Sequence, residues 1–306
     1  MSETSASWEW DDTLYAGAAR YYAAGRLPYP VDIADCLREE LGLDGTGNLL
    51  DVGCASGQLT LLLAPLFGSV TGIDAKTGMI AAARARAGRA GMTSIRWIRM
   101  RAEDISHGLG LFRAVTFAQS FHWLNRPVVG RAIRDVLEPG GSCVLVYATT
   151  HQGVASDDPL PLPRPPWVEI DTLIGSYLGT TRKAGRGVRP ARERPGDNAA
   201  MSDEAVLLGA GYTGPTRIAI AAGPVVERGE DEIVASVFSL SYAAPSLFGA
   251  HKPAFERDLR AMLTSASPHG RFCEQPRDIR LEIWRPRRDQ SRRRARSVAA
   301  GGSMAL

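Results

Sequence analysis

The sequence predicts an α/β fold: a doubly wound, mostly parallel sheet with helices on both faces. Three observations carry that reading. Short apolar segments alternate with amphipathic ones through residue 150, without a repeated unit of 20–50 residues. The helical segments are long enough, at 10–13 residues, to cross over between parallel strands. The first apolar segment runs straight into a glycine-rich loop, "DVGCASG" at 51–57. Right-handed crossovers then fix the winding, and ligands of such sheets sit beyond the carboxyl ends of the strands where their order reverses.

The elements follow in order. "VDIADCLREEL" (31–41) places its apolar residues on one helical face, and "NLLDVG" (48–53) is a buried strand. "QLTLLLAPL" (58–66) is a helix stopped near Pro65 and Gly68, and "SVTGID" (69–74) is the next strand. "GMIAAARARAGRA" (78–90) is a helix with Gly91 as its cap, and "SIRWIRM" (94–100) alternates as a strand does. "AVTFAQS" (114–120) is a fourth strand, "PVVGRAIRDVL" (127–137) a helix opened by proline, "EPGG" a turn and "SCVLVYAT" (142–149) a fifth strand. Beyond 150 the pattern breaks into a long Pro-, Gly- and Arg-rich stretch around one helix, "WVEIDTLIGSYLG", and such an insert reads as a lid. Regular structure resumes with a helix at 202–212 that opens on Ser202 and acidic residues, then a strand at 216–221. Helices at 230–241 and 252–266 and a last strand at 277–286 complete the chain.

Composition narrows the classes. Hydrophobic residues make up 44% and charged ones 23%, ordinary for a chain with a sizeable core. No apolar run reaches the ~18–20 residues of a bilayer span, and the start "MSETSASWEWDD" is polar and acidic, so a cytoplasmic protein without membrane association is expected. Four isolated cysteines (36, 54, 143, 273) suit reduced thiols rather than disulfides or zinc. The net charge of +3 is misleading: residues 285–306 hold seven Arg and one Asp, or +6, so the rest carries 3 − 6 = −3. That tail and the basic run 182–194 read as solvated segments, which speaks against a nucleic-acid partner. Trp8 and Trp10 read as N-terminal anchors.

The loop chooses among ligands. A pyrophosphate site wants G-x-G-x-x-G, and a P-loop wants Lys where Gln58 stands. Here the small residues Gly53, Ala55 and Gly57 fall at spacing two, behind Asp51. Read as Asp-x-Gly-x-small-x-Gly after a first strand, this resembles class I S-adenosylmethionine-dependent methyltransferases, with Ala55 for the middle glycine. "VTGID", "RAEDIS", "AQSFHWL" and "LEPGGSCVLV" follow in the family's order, and "ARYYAAGRLPYP" is similar to its N-terminal cap. The resemblance covers residues 15–150 strongly and 200–286 more weakly. Arg113 departs from it, standing where many relatives have Asp.

The resemblance implies a Rossmann-like, seven-stranded, mostly parallel sheet with a last antiparallel strand, an N-terminal helical cap and an inserted lid. Residues 1–288 would form one domain: cap 1–45, cofactor half 46–150, lid 151–200 and acceptor side 201–288, followed by a disordered tail at 289–306. It implies S-adenosyl-L-methionine as cofactor. Asp51, Gly53, Ala55 and Gly57 would form its loop, and Asp74 and Ala75 would meet the ribose. Met79 would pack on adenine, Ala102, Glu103 and Asp104 would read its amino edge, and Gln119 would bind the cofactor from the end of the fourth strand. Tyr22 and Arg26 are candidates for the methionyl carboxylate and the roof. His122 is the candidate base, because an amine acceptor must lose its proton before it can attack. Plainer roles stand beside these: loop support for Asp51, a helix N-cap for Asp104, packing for Tyr22, Arg26 and His122. The pair Asp157–Asp158 lacks the clustered partners of a metal site.

The expected partner is a small-molecule acceptor, a cationic amino sugar. The C-terminal stretch resembles small-molecule members of the family that tailor secondary metabolites, among them aminosugar N-methyltransferases of the gentamicin pathway. O-methylation of a hydroxyl or carboxylate is the alternative. A nicotinamide oxidoreductase and a nucleic-acid methyltransferase are the readings from other classes.

Overall fold

The computed structural model describes residues 13, 15–179, 181–184, 187–190 and 202–287, the last two groups before 202 by backbone only. Trp8 and Trp10, the end of the basic run and the Arg-rich tail lie outside the described residues. The cofactor half contains β1 (Asn48–Val52), β2 (Ser69–Asp74), β3 (Arg96–Arg99), β4 (Phe112–Ala118) and β5 (Leu137–Tyr147). Its helices are α1 (Ala19–Gly25), α2 (Asp32–Leu41), α3 (Gln58–Leu63), α4 (Thr77–Arg89) and α5 (Arg126–Val136). After it come α6 (Trp167–Leu178), the hairpin β6 (Thr181–Ala184) and β7 (Gly187–Pro190), α7 (Asp203–Gly209) and β8 (Tyr212–Ile220). Then β9 (Val226–Gly229), α8 (Glu230–Phe238), α9 (Pro245–Phe248), α10 (Lys252–Ala266), β10 (Arg271–Glu274) and β11 (Ile279–Pro286) complete the described chain.

The main sheet has seven strands in the order β3-β2-β1-β4-β5-β11-β8. The first five pair in parallel, while β11 runs antiparallel to both β5 and β8. This is the expected architecture. Strand order reverses about β1, which pairs with β2 on one side and β4 on the other, so the crevice lies above β1.

Alternation along the strands divides the core into two layers. Leu49, Val144, Val146, Leu281 and Ile283 face α2, α3 and α4, while Leu50, Val52, Cys143, Leu145 and Trp284 face α5 and α7. The helix ends obey local chemistry: Ser202 Oγ accepts from Ala205 N at 3.1 Å at the start of α7. Beyond α4, Gly91 is left-handed, with φ +71°. Arg113 donates to Leu41 O at 2.7 Å, placing a cation at the carboxyl end of α2 where the dipole favours one. "EPGG" belongs to β5, but as an excursion: Leu137 pairs with Phe112 and Ser142 with Ala114, so four residues bulge against one. The cysteines are all free thiols.

The region after 150 departs from the simple lid. Helix α6 buries Ile170 and Ile174 in a third core with Val237 and Phe238 of α8, Phe255 and Leu259 of α10, and Phe272 of β10. The irregular segment before α6 is tied to β10 and the residue after it: Val154 N donates to Gln275 O at 2.8 Å, and Cys273 N to Pro163 O at 3.0 Å. The insert and the acceptor-side helices are thus one packed body rather than separate parts. Two elements have no counterpart in the sequence reading: β6–β7 inside the basic run, and the two-stranded sheet β9–β10. Among the described residues no single helix is long and apolar enough to cross a membrane, and no group of three potential metal ligands occurs.

Candidate active site at the switch point of the sheet

The loop after β1 is left-handed at alternate residues: Gly53 at φ +67°, Ala55 at +47° and Gly57 at +75°. Two of these positions also demand glycine sterically. A Cβ on Gly53 would lie 2.6 Å from Ser120 Cβ, and one on Gly57 would lie 2.6 Å from the Trp97 ring. Ala55 therefore carries backbone strain, as do Tyr15 (φ +58°) and Gln119 (φ +54°). These are the three non-glycine residues with positive φ among the described residues, and all three line one pocket. Backbone strain concentrated in this way is characteristic of functional sites.

That pocket contains about 760 Å3 of empty space, counting its open mouth, and its wall is mainly apolar. Of the predicted residues, Tyr22, Gly53, Ala55, Asp74, Ala75, Met79, Ala102 and Gln119 line it. Asp74 projects from the end of β2 and is anchored twice. Ala55 N donates to Oδ2 at 3.0 Å and Lys76 N to Oδ1 at 2.8 Å. Each oxygen retains acceptor capacity toward the pocket. Burial raises the Asp74 pKa above the ordinary carboxylate value, against those two hydrogen bonds and Lys76.

Other predicted residues support the wall from behind. Asp51 is 1% exposed and accepts from Thr60 Oγ1 at 2.5 Å and Thr116 Oγ1 at 2.8 Å, joining β1 to α3 and β4. Burial pushes its pKa up to about 6 despite those hydrogen bonds. Gly57 packs on Trp97 rather than lining the pocket. Arg26 stands behind Tyr22, its guanidinium 4.5 Å from the ring centroid, and donates to Ser239 O at 2.7 Å. Glu103 turns away to accept from Asn125 N at 2.8 Å, and Asp104 is exposed, so of that triplet Ala102 alone reaches the pocket. His122 is half-buried outside the wall, its ring centroid 5.3 Å from that of Trp123. Burial, with Arg26, Arg277 and Arg228 nearby, pushes His151 down to about 3, so it stays neutral and a weak base.

The sequence reading missed Tyr15, Lys76, Met100, Ala118, Ser120, Trp123 and Leu124 as wall residues. Tyr15 meets Tyr22 edge-on at 6.2 Å and Trp123 at 5.6 Å, which makes an aromatic roof from the cap and the turn after β4. Trp123 had a signal in "FHW", but the weight fell on its neighbour His122. Ser120 is fixed by donation to Val52 O at 2.6 Å.

Residues 49–141 match the sequence profile of the family described as "Methyltransferase domain". This segment, about a third of the chain, is similar to that domain. S-adenosylmethionine is the cosubstrate of such a domain. The chain has relatives of modest similarity. An uncharacterised methyltransferase-like protein of Schizosaccharomyces pombe is 27% identical over 158 residues, 51% of this chain and 56% of the relative. A protein-L-isoaspartate O-methyltransferase of Anaeromyxobacter dehalogenans is 38% identical over 109 residues, 36% of this chain and 50% of the relative. The chain spans about half the length of these curated relatives. Among solved structures, an S-adenosylmethionine-dependent methyltransferase of Clostridium acetobutylicum covers 42% of this chain and 51% of its own, at 19% identity and TM-score 0.35. A structure titled for conversion of a disulfide bond into a thioacetal group during echinomycin biosynthesis covers 94% and 96%, at 16% identity and TM-score 0.48.

Proposed function

We propose that the chain transfers a methyl group from S-adenosylmethionine to an amino nitrogen of a small, cationic acceptor, with an amino sugar as the expected class. The observation that carries the reading is the Asp74 carboxylate, held by two backbone N–H groups at the edge of a pocket floored by Gly53 and Ala55. Two vicinal ribose hydroxyls suit such a fixed pair of acceptor oxygens. The residues fit the cofactor further. Gly53 leaves room where any side chain would strike Ser120, and Met79 and Ala102 offer apolar wall to an adenine. When bound, the cofactor supplies an electrophilic sulfonium methyl with a neutral leaving group.

What the chain supplies is placement. Aligning an acceptor in a site closed to water lowers a displacement barrier by ~7–11 kcal/mol. The roof of Tyr15, Tyr22 and Trp123 excludes water from the cofactor side. An amine acceptor need only arrive neutral, and His122 is the proposed proton acceptor. Because its ring lies outside the pocket wall, that proton would come from an acceptor seated beyond Trp123. The charge of −3 outside the tail favours a cationic acceptor over an anionic one. The acidic start of α8 does not add to that preference, since Arg260 pairs with Glu230 at 2.7 Å and with Asp231 at 2.8 Å.

Transfer of a radiolabelled methyl onto a panel of aminoglycosides, simple amines and small acids tests the reading. Label on an aminoglycoside nitrogen supports it, and label confined to the acids makes the enzyme an O-methyltransferase. Asp74→Ala removes a charge-assisted contact and should weaken S-adenosylmethionine binding at least tenfold, about 1.4 kcal/mol. Unchanged affinity by calorimetry would refute the ribose role.

A further inference from the structure

Arg228 of β9 and Glu274 of β10 form an ion pair at 2.7 Å with side chains 3% and 2% exposed. Such pairs add little net stability over apolar residues of similar size, so this one needs another reason. Its hydrogen bonds give one. Arg228 Nη2 donates to Gly25 O at 3.0 Å, the last carbonyl of the cap helix α1, and to Glu232 O of α8 at 2.8 Å. Glu274 Oε1 accepts from Gly153 N and from Trp167 Nε1 of α6, each at 2.7 Å. One buried pair therefore ties together the cap, the segment after β5, α6 and α8. Apolar side chains could fill the same space but could not fix the direction of the α1 carbonyl. Beside it, Gly25 lies so close to α8 that a Cβ would sit 2.4 Å from the Ala235 carbonyl.

The cap carries Tyr22 into the pocket wall, and Arg26 lies directly after Gly25 against the Tyr22 ring. We propose that Arg228 and Glu274 are positioning residues that hold the cap over the cofactor pocket, and so set how long the cofactor stays bound without touching it. This rests on the pocket being the S-adenosylmethionine site. Loosening the pair frees the carboxyl end of α1, displaces the Tyr22 part of the roof, and speeds release while the floor at Asp74 is intact.

The test compares Arg228→Lys, Gly25→Ala and Glu274→Gln with Leu263→Ala, a cavity in the α6–α10 core that removes none of the pair's hydrogen-bond partners. Arg228→Lys keeps the charge but cannot reach all the oxygens. Gly25→Ala attacks the same joint without altering the pair. Glu274→Gln is near-isosteric and guards against variants that do not fold. Near-ultraviolet circular dichroism selects folded protein, and stopped-flow binding of S-adenosylmethionine gives on- and off-rates. The joint variants that fold are expected to release the cofactor at least tenfold faster with on-rates within threefold of wild type, while Leu263→Ala loses thermal stability with off-rate within twofold. Wild-type off-rates in folded joint variants, or equal acceleration in Leu263→Ala, overturn the positioning role alone. Failure of the wild-type chain to bind S-adenosylmethionine overturns the site reading beneath it.

Discussion

Replacing Asp51 by Asn isolates the energetic cost of a buried carboxylate under the glycine loop. The folded-state pKa of about 6 stands roughly two units above the unfolded value of ~3.9. The folded chain therefore binds the proton more tightly, and this group makes stability fall as pH rises from ~4 to ~6. Above that window the full cost applies, two units at 1.36 kcal/mol each, or about 3 kcal/mol. At pH 5 about half remains, because the unfolded chain is already ionised there while the folded one is mostly protonated. Asparagine preserves the contacts: its oxygen accepts from one threonine, and the rotatable hydroxyl of the other accepts from its NH2. Urea denaturation of both proteins at pH 5, 6 and 7.5 reads the effect. The stability difference should move by about 1.4 kcal/mol in favour of asparagine between pH 5 and 7.5. With a urea slope of ~3 kcal/mol per molar, that is a relative midpoint shift of about 0.5 M. Asp74, also raised by burial, is present in both proteins and largely cancels. Parallel pH curves would show that Asp51 is ionised as readily folded as unfolded, which refutes the reasoning.

Other outcomes follow from the same geometry. Ala55→Gly relieves a left-handed alanine costing ~1–2 kcal/mol but adds ~0.4–1 kcal/mol of unfolded-state entropy to be lost on folding, so thermal denaturation should show a net gain of up to about 1.6 kcal/mol. Gly72→Ala drives a Cβ to 2.5 Å from the Trp97 ring and should cost ~1–3 kcal/mol. Adding Trp97→Leu should make that loss smaller than it is in the wild-type background, and strict additivity in the double-mutant cycle would count against the clash. His122→Ala is expected to lower turnover severalfold with S-adenosylmethionine affinity within twofold; undiminished turnover reduces the residue to a packing partner of Trp123.

Much of the cofactor half was readable because its signals are local. Strands β1, β2 and β4 are short segments buried along most of their length and rich in apolar residues, and α2, α4 and α5 repeat at helical spacing. The spacing of Gly53, Ala55 and Gly57, and Asp74 at a strand end, are likewise properties of short windows. The four-residue strands β9 and β10 were not readable, since a window that short has no periodicity to detect. The hairpin β6–β7 was hidden for a related reason: it lies in Gly- and Arg-rich sequence whose composition signals a loop.

The sequence alone determined the parallel sheet and its switch point, because those follow from alternation, turn chemistry and spacing along the chain, while the family resemblance singled out the carboxylate at Asp74. Tertiary structure alone decided which marked residues meet the pocket. Gly57 is glycine because Trp97, 40 positions away, fills the space beside it. Glu103 is drawn off by a backbone N–H at Asn125, and Tyr15 joins the wall against Trp123, more than 100 positions away. The buried pair Arg228–Glu274 joins residues 46 apart. Contacts between distant segments are set by how whole elements pack, and no short stretch of sequence carries that information.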